Sequence, residues 1–320
     1  MSLKAATIPK DYDLRRDGIT QSLIMGYLKC RVSFLLTLNK WGSDQKNTIF
    51  AFGSLTHDAL DRVYSYYQEN DELPNDTQIR IWINRYVKKA KKEGNWMPRK
   101  DERKGEYMKV RSFVIVSEYV KYYADEFKKI EVIGAEDTFN VKFMGFTLRG
   151  KKDLRMRLAG KKWILETKTM GRIEENNIAD KLAFDFQNLF YITAEELEEP
   201  DEPVIGVLYN VVRNPGDKTT GKTLEEFAKH LRGKVHKHPE YYFLRFEVPY
   251  LEKDKRDFRR DLMGILTEID GLLSGRVRAY RNFKNCIGRF RCSYLNACAS
   301  GTMIGYSQHR QLFSELEEST

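Results

Sequence analysis

Residues 146 to 170, FTLRGKKDLRMRLAGKKWILETKTM, constrain this chain more than any other stretch. Two runs rich in strand-forming residues flank Ala159 and Gly160, and a two-residue hairpin turn there locks the pairing register. Leu158 then faces Lys161, and five pairs further back Asp153 falls directly across from Glu166. Opposed residues bring their Cβ atoms to roughly 4.5–5.5 Å, where like charges repel. A cation has to lie between the two carboxylates. Lys168, two residues past Glu166 and on the same strand face, gives an ordinary hairpin ion pair. A divalent ion held by both carboxylates gives half of a catalytic site.

The surrounding pattern reads as an α/β protein. Leu55, Ala59, Val63 and Tyr67 recur at helical spacing, with Gly53 or Ser54 as the expected cap. Residues 76–92 and 106–129 also read as helices, and residues 131–168 as a three-strand antiparallel meander. Residues 176–199 follow as one amphipathic helix capped by Asp180. PVIGVLYNVV at 203–212 has the unbroken apolar character of a strand covered on both faces. A helix at 223–233, a strand near 241–249 and a long helix from about 251 to 274 complete the pattern. The expectation is one elaborated domain over residues 1–320: a helical region at 10–130, a core at 131–215 and a closing segment at 216–320.

No run of 18 apolar residues occurs and the first residues lack an apolar leader core, so a cytoplasmic protein with no membrane partner is expected. The net charge of +9 is concentrated. Residues 85–104 carry nine basic and three acidic side chains, and residues 276–291 six basic and none acidic. Interleaved with them are Tyr86, Trp96, Tyr280, Phe283 and Phe290, a combination suited to a phosphate backbone and unstacked bases as well as to solvated helix faces. EELEEPDE at 195–202 reads as an acidic region set apart from them.

GKKD at 150–153 followed by ILETKT at 164–169 resembles the acidic and E-x-K motifs of the PD-(D/E)xK nucleases. Gln187 and Tyr191 form a Q-x-x-x-Y pair similar to that of the RecB-like branch, and GSLTHDAL with His57 resembles its G-x-x-x-H helix. The motif order agrees over roughly residues 50–215. The resemblance implies a restriction-endonuclease-like core, a mixed sheet flanked by helices, with a helical N-terminal region and a C-terminal cysteine segment. It also implies metal-assisted phosphodiester hydrolysis of DNA, with Mg²⁺ or Mn²⁺ held by Asp153, Glu166, the Thr167 carbonyl and His57. Lys168 would act on water and phosphate, and Gln187 and Tyr191 would position Lys168 and the DNA backbone. Ala183 and Ala194, flanking the Gln/Tyr stripe, are expected to leave room for substrate, and Glu136 is a further possible ligand. An exonuclease on single strands or DNA ends, alongside a recombination or repair partner, fits this likeness. A catalytically silent DNA-binding module is the alternative.

Cys30, Cys286, Cys292 and Cys298 are free thiols or metal ligands in a chain read as intracellular. One cysteine before the core and three after it is the layout of AddB-type and CRISPR-associated four-cysteine exonucleases, which implies a structural 4Fe–4S cluster. The C-x5-C-x5-C spacing departs from their usual C-x2-C-x5-C, and four thiolates equally suit Zn²⁺. A competing motif, GDKTTGKT at 216–223, matches a nucleotide-binding phosphate loop between a strand and a helix.

Overall fold

In a computed structural model, which describes residues 4–44, 51–94, 96, 102–171, 178–287, 291–308, 311–313 and 316, Ala159 and Gly160 both take positive φ, 50° and 73°. That is the turn geometry that matches the twist of paired strands. It joins β3 (Phe146–Leu158) to β4 (Lys161–Met170), in register from Leu158 opposite Lys161 to Leu154 opposite Leu165. The ladder stops one pair before the carboxylates would meet, because the Asp153 side chain accepts the Thr167 N–H at 2.9 Å.

Before these two strands come β1 (Trp41–Ser43) and β2 (Ile130–Phe143); after them come β5 (Val204–Arg213), β6 (Phe243–Pro249) and β7 (Tyr306–Gln308). The main sheet runs β2-β3-β4-β5-β6. β4 and β5 pair in parallel and the other neighbours are antiparallel. Being central, β5 is buried along almost its whole length, as its apolar run requires.

The first helices are α1 (Gln21–Lys29), α2 (Arg31–Leu38), α3 (Ala51–Asn70), α4 (Asp76–Lys92), α5 (Glu102–Tyr122) and α6 (Ala124–Phe127). The expected cap on α3 moves, since Gly53 and Ser54 both lie inside it. The predicted helix over 106–129 breaks at Tyr123 between α5 and α6. Between β4 and β5 the single expected helix is two, α7 (Ile178–Ala183) and α8 (Phe186–Glu198). Asp185 caps α8 by accepting the Asn188 N–H at 3.0 Å; Asp180 lies within α7, and its side chain falls outside the described positions.

The chain continues through α9 (Leu224–Lys237), α10 (Pro239–Tyr242), α11 (Glu252–Leu273) and α12 (Leu295–Ser300). Leu55, Val63, Val114 and Phe227 close one core with Leu154, Leu165 and Val212 of the sheet. Ile24, Phe190 and Leu262 close another with Ile164, Val207 and Val211. The result is a helix–sheet–helix sandwich. No helix among the described residues is long and apolar enough to cross a membrane.

The acidic stretch 195–202 is not a separate surface. Glu195 is fully buried, in ion pairs with Lys152 and Lys162 and 3.3 Å from Arg155. Glu202 binds Arg157 at 2.6 Å. Burial pushes the Glu195 carboxyl up, but the bonds from Lys152 and Lys162 outweigh it and hold it below its ordinary range. These contacts fasten the C-terminal half of α8 to β3 and β4, which fixes where its N-terminal half stands.

The phosphate-loop reading fails on local geometry. Thr223 caps α9 with its own side chain, and Glu226 returns to the Thr223 N–H. The first turn therefore presents Glu225 and Glu226 where a phosphate would need free N–H groups. Asp217 is taken up by Lys234 and His230.

Candidate active site

Three elements supply the centre. From β4, Glu166 is buried and its Oε1 pairs with the Lys168 ammonium. From α8, Gln187 Nε2 donates to Glu166 Oε1 at 2.9 Å and to the Tyr191 hydroxyl at 3.2 Å, while its Oε1 accepts from Lys168 at 3.0 Å. From β3, Asp153 approaches through the Thr167 N–H. The Gln187/Tyr191 pair, one helical turn apart, thus meets the Glu166/Lys168 pair, two strand residues apart.

Opposite α8, α3 brings His57 beside Asp153 and Lys168, close enough for both to influence its protonation. The close approach of α3 depends on Gly53: a Cβ there would stand 2.9 Å from Thr169 Oγ1. His57, Asp153 and Tyr191 line a cavity of about 540 Å³ together with Gln21 and Ser22 from α1. Glu136 reaches the same cavity and pairs with Lys151. Its φ of 58° and the bulge at Val132–Gly134 account for a side chain re-aimed from the regular pleat.

The electrostatics are those of excess negative charge in a poorly solvated place. Burial, then repulsion by Asp153, pushes the Glu166 carboxyl up to about 8, although Lys168 opposes both. Burial alone would lower Lys168, but Glu166 and Asp153 outweigh it and keep the ammonium protonated. His57 is lowered by burial, against the pull of Asp153. Glu166 Oε2 is buried without any hydrogen-bond partner. An orphaned carboxylate oxygen beside a second carboxylate fits one added cation. Among the described residues no three His, Cys, Asp or Glu side chains form a ready-made metal cage, so the fit is to a two-carboxylate site completed by backbone and water.

Asp61 and Asp58 escaped the sequence reading, yet both line the cavity. Asp61 is one turn beyond His57, and burial with the charges of Asp153 and Asp58 raises its pKa well above the carboxylate range. The i, i+4 spacing from His57 was the available signal. The two alanines do not supply the substrate space: Ala194 is buried in the core and Ala183 ends the separate helix α7. Of the aromatics in the first basic patch, Trp96 is core and Tyr86 lines the cavity. Tyr280 and Phe283 of the second are exposed, and Phe290 lies outside the described residues.

The cysteines come together at the other end of α1. Cys30 separates α1 from α2, Cys298 lies in α12, and the Cys292 N–H bonds the Cys286 carbonyl at 3.1 Å. Burial raises the Cys298 thiol, and Cys292, Cys30 and Cys286 add to the shift. β1 pairs with β7 beside them, tying residues 41–43 to 306–308.

Comparison with protein-family models matches residues 19–299 to the PD-(D/E)XK nuclease superfamily, and comparison with curated proteins gave no match. Members of that superfamily are generally phosphodiester hydrolases, typically with Mg²⁺ or Mn²⁺ and with DNA as substrate. The match covers most of the chain and agrees with its five-strand mixed sheet between helices: the protein belongs to the PD-(D/E)XK nuclease superfamily.

Proposed function

We propose that this protein is a metal-dependent deoxyribonuclease of the RecB-like branch, acting as an exonuclease on single-stranded DNA or DNA ends in recombination, repair or phage DNA processing. The observation that carries the chemistry is the partnerless Glu166 Oε2 beside Asp153. Asp153, Glu166 and the Thr167 carbonyl would hold Mg²⁺ or Mn²⁺, with His57 alongside. When bound, the ion supplies Lewis-acid stabilisation of the phosphoryl charge and acidifies water.

The protein's own groups do the rest. Lys168, kept protonated by its carboxylate neighbours, orients water and screens phosphate as an ammonium rather than abstracting a proton. Gln187 fixes the Lys168 ammonium and the Glu166 carboxylate relative to each other, and Tyr191 steadies Gln187. The branch assignment leans on the Gln187/Tyr191 pair and on His57.

The one-before, three-after layout of the four cysteines is the ground for a structural 4Fe–4S cluster, with zinc as the other occupant, although the thiols do not form a ready-made cage among the described residues; colour and metal content of the purified protein decide between them. The activity test is degradation of end-labelled single-stranded DNA with Mn²⁺. Loss of cleavage in both Asp153→Asn and Lys168→Ala supports the reading. Cleavage that survives both changes, or metal binding without cleavage by the unaltered protein, overturns it.

A further inference from the structure

The Cys30 end of α1 adjoins a surface that the catalytic chemistry leaves unexplained. α1 begins at the catalytic cavity, where Gln21 and Ser22 form part of the wall. Its outward face continues at helical spacing through Met25, Leu28 and Lys29. Met25 and Leu28 are 41% and 43% exposed, large for apolar side chains on one stripe of a short helix. The stripe does not end with the helix. Asn285 Nδ2 donates to the Lys29 carbonyl at 2.9 Å, which sets the turn Phe283–Asn285 against the end of α1. That turn presents Phe283 and, just beyond it, Ile287, 75% and 78% exposed.

Lys29 and Lys284, at the end of α1 and in the turn set against it, are exposed. Both aromatic rings here have a guanidinium near them: Arg31, held by Glu268, lies 4.3 Å over Tyr280, and the more distant Arg281 stands 5.7 Å from the centre of the Phe283 ring. One exposed aromatic ring, Phe283, among aliphatic side chains and exposed lysines matches an unstacked nucleic acid strand, whose bases need a face and whose phosphates need charge. A duplex hides its bases and would use only the cations.

We propose that the outward face of α1 and the Phe283–Ile287 turn form the docking surface for the single strand that enters the catalytic cavity. Phe283 stacks on a base, and Lys29 and Lys284 hold the adjoining phosphates. This deepens the nuclease reading, because it places the rest of the strand whose end is cut, but the surface can be tested without cleavage.

The test is fluorescence anisotropy of the full-length protein without added Mg²⁺ or Mn²⁺, with a labelled oligothymidylate and, separately, a blunt duplex of equal length, using Phe283→Ala and Lys29→Gln/Lys284→Gln. Both changes lie on the surface, and thermal melts confirm unaltered folding. The expected result is roughly tenfold weaker single-strand binding for Phe283→Ala with duplex binding unchanged. The double lysine change weakens both ligands and flattens the salt dependence of single-strand binding. Single-strand affinity unaffected by Phe283→Ala, or a loss equal for strand and duplex, overturns the docking surface. Since no cleavage is read, a protein that binds as expected but cuts nothing would cost the nuclease reading and leave this one standing.

Discussion

β3 carries Lys152 and Asp153 side by side, and each belongs to a different group of buried charges. Lys152 joins Lys162 and Arg155 around Glu195, where every charge has an opposite one and Glu195 sits below its ordinary pKa. Asp153 joins Glu166, Lys168, His57 and Asp61, where carboxylates outnumber the cation among them and Glu166 and Asp61 sit above theirs. Both groups bear on α8, the first through Glu195 and the second through Gln187. A balanced buried network fastens elements together; an unbalanced one stores an appetite for a cation. The difference separates structural from functional charge within a few ångströms of backbone.

The largest expected contrast comes from neutralising Asp153. Asp153→Asn preserves an oxygen for the Thr167 N–H while removing one of the repelling charges. Hydrolysis should fall by about a thousandfold or more, whereas the melting temperature of the metal-free protein should hold or rise. A lowered melting temperature would place Asp153 in the structural group.

Glu195→Gln should do the opposite. It leaves Lys152 and Lys162 buried with less countercharge, a change that typically costs about 3–5 kcal/mol. Chemical denaturation reads this, and cleavage per folded molecule at low temperature should be little altered. Equal losses of activity and stability would erase the distinction between the two groups.

The group around Asp153, proposed as catalytic, was the more legible of the two in sequence. Its members are local pairs: Asp153 across a two-residue turn from Glu166, Lys168 two residues along, Gln187 and Tyr191 one helical turn apart. Turn chemistry and periodicity fix such pairs without any tertiary knowledge. The balanced group joins Lys152 and Lys162 to Glu195, across 43 and 33 residues. No local rule pairs them, so 195–202 read only as an acidic region set apart from the basic ones. Asp61 was hidden for another reason: its spacing from His57 suits an ordinary amphipathic helix, and only the packing of α3 through Gly53 turns that face inward. The break before α8 turned on Asp185 capping a turn that hydrophobic periodicity alone carries straight through.

The unbalanced group also predicts a pH signature. Glu166 titrates near 8 in the fold against 4.5 for an ordinary glutamate. Its raised pKa favours the folded state fully at low pH, and that contribution drains away as pH rises from about 4.5 through 8. His57 acts in the reverse sense, but only below its ordinary value of 6.5. Between about pH 7 and 8.5 the metal-free protein should therefore lose stability, by about 1 kcal/mol. Glu166→Gln should flatten that slope in melts across the series, and Mn²⁺ should restore the unaltered protein at the alkaline end. A slope unchanged by Glu166→Gln would place the repulsion elsewhere.

The smallest effect on stability belongs to Gln187, which joins Lys168 to Glu166. Gln187 holds Lys168 at 3.0 Å and Glu166 at 2.9 Å, yet those two also bind each other directly. Gln187→Ala thus leaves the ion pair in place and removes only its orientation. A net hydrogen bond contributes about 0.5–1.5 kcal/mol to stability, so the melting temperature should move little. Misplacing the ammonium by a fraction of an ångström weighs more on the reaction, and kcat should fall about ten- to a hundredfold with KM little changed. Tyr191→Phe, which loses the 3.2 Å contact behind Gln187, should fall less. If Tyr191→Phe proves the more damaging of the two, the tyrosine touches substrate directly and the chain of support runs from Tyr191 outward to the phosphate, not inward to Lys168.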